Sequence, residues 1–120
     1  MAAAAGVGAD AVPGALRRLA DAHAIVLDEA GELWMAHPFS AVPTPFEVEV
    51  AGTRHTANCV WDALGVIELL GGTGTARFPC PDCCEPLCVD VRDGELHDPP
   101  ELLVHFAVPA ARWYEDIGFT

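Results

Sequence analysis

The chain has 120 residues, 6 of them basic and 18 acidic, for a formal net charge of −12. That length fits one small domain with a modest core. The charge repels phosphate backbones, which argues against nucleic acid as a partner, and no uninterrupted apolar run is long enough to span a bilayer.

The opening Met1-Ala-Ala-Ala-Ala-Gly-Val-Gly lacks the basic stretch that precedes the apolar run of a secretory signal. The expected compartment is therefore the cytoplasm, where thiols stay reduced, and residues 1–12 are expected to form a flexible tail. Pro13 suits the start of a helix whose apolar side carries Leu16, Leu19 and Ala20, with Arg17 and Arg18 outward. Ala24 to Leu27 and Glu32 to Ala36 read as two strands joined by a turn at Asp28-Glu29-Ala30-Gly31. A helix followed by a hairpin is the second half of a winged-helix layout, here truncated, over residues 13–42. His37 to Pro45 reads as an extended, proline-rich connector. Phe46, Val48 and Val50 alternate with Glu47 and Glu49, the pattern of a strand with one wet face, and Ala51-Gly52 can turn the chain back.

Asn58 is expected to cap a helix running from Cys59 to about Leu70. Cys59, Asp62, Ala63, Val66, Ile67 and Leu70 then share one face, and Gly71-Gly72 ends the helix. Thr75 to Phe78, Leu87 to Val91 and Leu102 to Phe106 read as short strands, and Pro109 to Asp116 as a last helix. The three tryptophans, Trp34, Trp61 and Trp113, are expected in the core. His105 is expected in an apolar strand and His97 in a solvated loop.

Five cysteines fall between positions 59 and 88. An odd number is awkward for a disulfide framework and natural for metal or catalytic chemistry. Cys59 would stand at the start of a helix, where free amides and the dipole favour a thiolate. Asp62, one turn on, shares the inward face, and burial there would raise its pKa and let it hold a proton for general acid chemistry. The second group, Cys80-Pro81-Asp82-Cys83-Cys84 through Cys88, opens like one knuckle of a zinc ribbon but lacks a second distant pair. Soft thiolates select zinc, copper(I) and comparable thiophilic metals. The plain alternative for each cysteine is a small buried or turn residue.

Taken together, Cys59-x-x-Asp62-x-Leu64, a further cysteine at Cys80, the winged-helix remnant and Val104-His105-Phe106-Ala107-Val108-Pro109 resemble the alkylmercury (organomercurial) lyase family, over residues 15 to 114. The resemblance implies protonolysis of a carbon–mercury bond: two thiols capture mercury and an aspartate delivers the proton to carbon. It implies that Cys59 is the first mercury-binding thiol, Asp62 the proton-handling carboxylate and Cys80 a mainly structural cysteine. The family's second mercury thiol lies just before the Val-His-Phe strand, where this chain has Glu101-Leu102-Leu103. Cys83, Cys84 or Cys88 would have to swing beside Cys59 to replace it.

The expected fold is α+β: one domain over residues 13–120, with a small mixed or antiparallel sheet packed with helices over 43–120 and the truncated winged-helix-like element before it. The expected function is organomercurial-lyase-like cleavage with Cys59 and Asp62 catalytic and mercury, as substrate and product, held by Cys59 and one of Cys83, Cys84 and Cys88, with Cys80 also among the metal-binding residues. A thiol acceptor would remove the metal, and no organic cofactor is expected. The alternative is a non-enzymatic module in which the later cysteines hold zinc, copper(I) or mercury.

Overall fold

In a computed structural model, residue 6, residues 8–97 and residues 101–118 are described. A 3-10 turn at Ala9–Ala11 leads into helix α1 (Val12–Asp21), with proline in its first turn as expected. Of residues 1–12, expected to form a flexible tail, 1–5 and 7 lie outside the described residues, and Ala9–Ala11 form the 3-10 turn. Strands β1 (Val26–Leu27), β2 (Leu33–Ala36) and β3 (Phe39–Ser40) form a three-stranded antiparallel sheet. The proline-rich connector is thus only partly a connector. Phe39 and Ser40 pair with Ala36 and Met35, because the chain reverses at His37-Pro38 rather than running on extended.

The second sheet holds β4 (Glu47–Val50), β5 (Thr53–Thr56), β6 (Gly74–Pro79), β7 (Pro86–Arg92) and β8 (Glu95–His97). Its order is β5-β4-β6-β7-β8, and every neighbouring pair is antiparallel. Ala51 and Gly52 both take positive φ, at 49° and 76°, the conformation of a two-residue hairpin turn whose twist matches its strands. Asp93-Gly94 repeats it, with φ of 52° and 80°. It launches β8, a strand not expected from the sequence, and places His97 in a strand rather than in a loop. Asp98, Pro99 and Pro100 lie outside the described residues.

Helix α2 (Val60–Leu69) packs across β4 and β6. Ala63, Val66 and Ile67 on its inner face meet Val48 and Val50, Ala76 and Phe78, and Val89 and Val91 from the alternating positions of β4, β6 and β7. The helical period and the strand period point their apolar sets at one another, and burying both sets is what holds helix to sheet. Leu70, expected on this face, is exposed just beyond the helix.

Two expectations near the C-terminus are corrected. Residues 102–106 form no strand, and Leu103 is 98% exposed. Apolar composition alone does not make a strand without a partner edge and a face to bury. His105 is therefore exposed on irregular backbone rather than placed in a core strand. The expected last helix is a 3-10 helix over Ala110–Glu115. Among the described residues, no helix is long and apolar enough to cross a membrane.

The tightest joint in the larger sheet is Gly74. A Cβ added there would lie 2.7 Å from the Glu49 carbonyl oxygen and 2.8 Å from Val50 Cγ2. Gly74→Ala is expected to destabilise the fold by about 2 kcal/mol, measurable as a lowered urea midpoint with an unchanged slope.

Candidate functional site

The site begins where β5 hands over to α2. Cys59, rather than Asn58, is the helix cap: its backbone is extended, and its Sγ accepts a hydrogen bond from the Asp62 amide at 3.4 Å. Asn58, one residue earlier, is drawn elsewhere. Its Nδ2 donates to Asp62 Oδ2 at 3.1 Å, to the Pro38 carbonyl at 3.2 Å and to the Phe39 carbonyl at 3.4 Å. One amide thus ties the 37–39 turn to the first turn of the helix and aims the Asp62 carboxylate. Pro38 also abuts the helix, since a Cβ on Gly65 would sit 3.5 Å from Pro38 Cβ.

Cys59 and Asp62 are both half-buried on the same side of α2, as the spacing predicts. Their electrostatics differ from the expectation of a ready thiolate. Burial pushes the Cys59 thiol above the ordinary cysteine range, and the negative charge and hydrogen bond of Asp62 push it further. The amides of Asp62 and Trp61 pull the other way without prevailing. Desolvation of the charged form outweighs the helix terminus, so the proton is held on sulfur, beside the Asp62 side chain.

Both residues line a cavity of about 600 Å³. Met35, Phe46, Trp61, Phe106, Trp113 and Ile117 make most of its wall apolar, and His23, His37 and Tyr114 add polar edges. Trp61 is 53% exposed, so it is not the core residue expected. It meets Phe106 edge-on at 5.7 Å, and Phe106 lies against Trp113 at 5.5 Å. The segment over 106–118 closes this side. The Trp113 indole donates to the Val108 carbonyl at 3.0 Å, and the Tyr114 hydroxyl donates to the His23 carbonyl at 2.9 Å with its ring stacked on the His23 ring. Gly118 lies against Trp34, where an added Cβ would come within 2.7 Å of the indole. None of His23, Trp61, Phe106, Trp113 and Tyr114 was expected to line a site. A tryptophan two residues after the cysteine on a helix cap was the one local signal for them.

The later cysteines are elsewhere. Cys88 sits on β7 opposite Arg77, between Leu87 and Val89, which turn inward; it is exposed on the face away from α2. Cys83 and Cys84 are exposed in the loop joining β6 to β7, and Cys84 borders a separate shallow groove with Pro79 and Pro86. Cys80 is half-buried at the end of β6, where the amides of Cys83 and Asp82 hold its thiol below the usual range. None of these four lines the Cys59 cavity, and among the described residues no three of His, Cys, Asp and Glu converge on a point that would hold a metal. The expected cluster of Cys80, Cys83, Cys84 and Cys88 is not formed. Strand alternation sends Cys88 outward, while the loop holds Cys83 and Cys84 at its tip. Cys83, Cys84 and Cys88, one of which was expected to swing beside Cys59, stand away from it in this structure.

The two shifted thiols should titrate in opposite directions. In an iodoacetamide series read by peptide mass spectrometry, Cys80 is expected to alkylate at lower pH than an ordinary cysteine, and Cys59 only at higher pH. Asp62→Asn should bring the Cys59 midpoint down, since it removes the carboxylate charge that opposes thiolate formation. A midpoint that stays put would show that the two groups are not coupled.

A model of the alkylmercury lyase family (MerB) matches residues 39–119, from the start of β3 through the segment that closes the cavity. Among solved structures, the crystal structure of the mercury-bound form of MerB2 aligns with a TM-score of 0.60 and 25% sequence identity, over 77% of this chain and 45% of that one. The chain therefore spans less than half the length of that relative. No curated protein sequence matches it. A family match over more than half of the chain, with a solved relative of the same fold, leads to one conclusion: this protein belongs to the alkylmercury lyase family.

Proposed function

We propose that this chain cleaves the carbon–mercury bond of an organomercurial by protonolysis, with Cys59 as the capturing thiol and Asp62 as the proton carrier. The observation that carries the reading is the pairing of a proton-holding thiol with a carboxylate at one helix terminus, inside an apolar cavity. The mercury-bound relative supports mercury as the substrate's metal.

The geometry suggests a sequence for the proton. Cys59 sulfur bonds to R–Hg⁺, and its proton passes to the adjacent Asp62 carboxylate. Asp62 then delivers that proton to the carbon as the carbon–mercury bond breaks, releasing R–H and leaving mercury on sulfur. Each proton and electron pair is accounted for within the site. The Asn58 hydrogen bond to Asp62 Oδ2 keeps the carboxylate aimed, a positioning role that matters because proton transfer needs hydrogen-bond reach. The organic group R would rest against Trp61, Phe106 and Trp113, which offer area and flat faces to alkyl or aryl carbon. Residues 13–42, a helix and small sheet that we read as a reduced winged-helix element, supply one side of the cavity through His23, Met35 and His37. The reaction belongs in the reducing cytoplasm, where a low-molecular-weight thiol can accept the metal.

With an arylmercury substrate and excess thiol, wild-type protein is expected to release arene. Cys59→Ser should abolish release. Asp62→Asn should retain mercury on Cys59 while slowing release on the order of a hundredfold or more. Gas chromatography of the arene and mass spectrometry of the protein-bound metal separate the two steps. Unchanged release in Asp62→Asn would remove the aspartate from the mechanism.

A further inference from the structure

The cavity contains one thiol, yet mercury(II) prefers two strong donors in a nearly linear arrangement. Cys59 can supply only one of them, and none of Cys80, Cys83, Cys84 and Cys88 lines the cavity. His37 does line it, and its Nε2 is shielded from solvent with no hydrogen-bond partner among the described residues. A buried polar atom without a partner is costly, and on a residue that lines a cavity it is a donor open to a ligand held there.

The position of His37 is fixed from several sides. Asn58, next to Cys59 in the chain, donates to the carbonyls of Pro38 and Phe39 immediately after it. Pro38 is seated on α2 at Gly65. The Tyr114 ring stands edge-on to the imidazole at 6.1 Å and 82°. The same contacts that aim Asp62 therefore hold His37 beside the helix start. Among the other lining groups, His23 is exposed and stacked on Tyr114 at 3.8 Å, and Met35 offers only a neutral thioether.

We infer that His37 Nε2 is the second mercury donor of this site, standing in for the thiol that the chain lacks. The inference rests on the lyase reading for its substrate, and adds a ligand to it. Imidazole nitrogen is a common ligand for thiophilic metals, although less soft than thiolate. In the product, Hg²⁺ lies on one thiolate and one neutral imidazole. The Asp62 carboxylate, regenerated when its proton leaves on carbon, cancels the remaining positive charge. A thiolate–imidazole pair should hold mercury less tightly than two thiolates, so a small-molecule thiol would remove the product readily.

The test uses the full chain with Cys80, Cys83, Cys84 and Cys88 replaced by serine, so that Cys59 is the one thiol present. One equivalent of mercuric chloride is added, and imidazole ¹⁵N and methionine methyl resonances are followed by NMR. The expected result is a large shift of His37 Nε2 that requires Cys59 and is absent in Cys59→Ser. Mercury bound through Cys59 with His37 unshifted, or with the Met35 methyl shifted instead, would overturn the inference. A second readout uses the same serine-replaced chain. There, with Cys59 as the one native thiol, His37→Gln should weaken mercury retention against competing thiol by about tenfold or more, while His37→Cys should strengthen it beyond the serine-replaced parent. If His37→Cys fails to strengthen retention, position 37 does not face the metal. The lyase reading is judged separately by arene release: no release with an intact Cys59–His37 mercury site removes the enzyme and keeps the donor pair, and release with His37 unshifted does the reverse.

Discussion

The arrangement at the start of α2 depends on a single side-chain amide. Asn58 Nδ2 faces the Pro38 and Phe39 carbonyls on one side and the Asp62 carboxylate on the other. These carbonyls lie where the chain reverses between β2 and β3 of the small sheet, and an unpaired carbonyl buried there would be expensive. By satisfying them, Asn58 fixes that reversal of the small sheet against the start of the helix. With the amide turned so that Nδ2 meets these groups, its Oδ1 has no hydrogen-bond partner among the described residues, and the capping position falls to Cys59. The thiol is thereby placed at the helix terminus, and Asp62, three residues later, falls beside it. The spacing of the reactive pair is a consequence of ordinary helix geometry once that joint is made.

Burial and charge then decide what the pair can do. A helix terminus is often invoked to explain a reactive thiolate, but here desolvation and a neighbouring carboxylate keep the proton on Cys59. In the proposed reaction, substitution at a metal followed by protonation at carbon, a stored proton is an advantage: the thiol that would become the nucleophile carries the proton that the leaving carbon would need. Cys80 illustrates the opposite balance. It is held by two amides in an open loop, and its thiol is lowered. Two cysteines in one small chain thus have contrary acidities for physical reasons visible in their surroundings.

Much of this was legible in the residues. The 3.6-residue spacing of Ala63, Val66 and Ile67 identified α2, the alternation of Val48 and Val50 identified β4, and Cys59 and Asp62 emerged on a common face as their spacing required. The cap was misplaced by one residue because a local preference of asparagine gave way to a long-range pair of carbonyls, which no local pattern records. The run over 102–106 has the composition of a strand, but strand formation needs a neighbour, and pairing partners are not written in a single segment. The aromatic wall was hidden for a related reason. Trp61 and Trp113 have the size of core residues, and only tertiary structure shows that they enclose a space instead of filling one. Asp93-Gly94, by contrast, is a hairpin signal that was available in the sequence.

The stacking of Tyr114 on His23 joins the two extremities of the described chain. His23 and Met35 precede the segment over 39–119 that matches the family, yet both contribute to the cavity wall. The recognisable unit and the working unit therefore have different borders. Homology delimits the part that carries the reactive pair, whereas the enclosure around it is assembled from both sides of that border. In modular terms the first helix and small sheet are not an appendage: a fragment cut to the family boundary would keep Cys59 and Asp62, lose His37, and open their chamber to water.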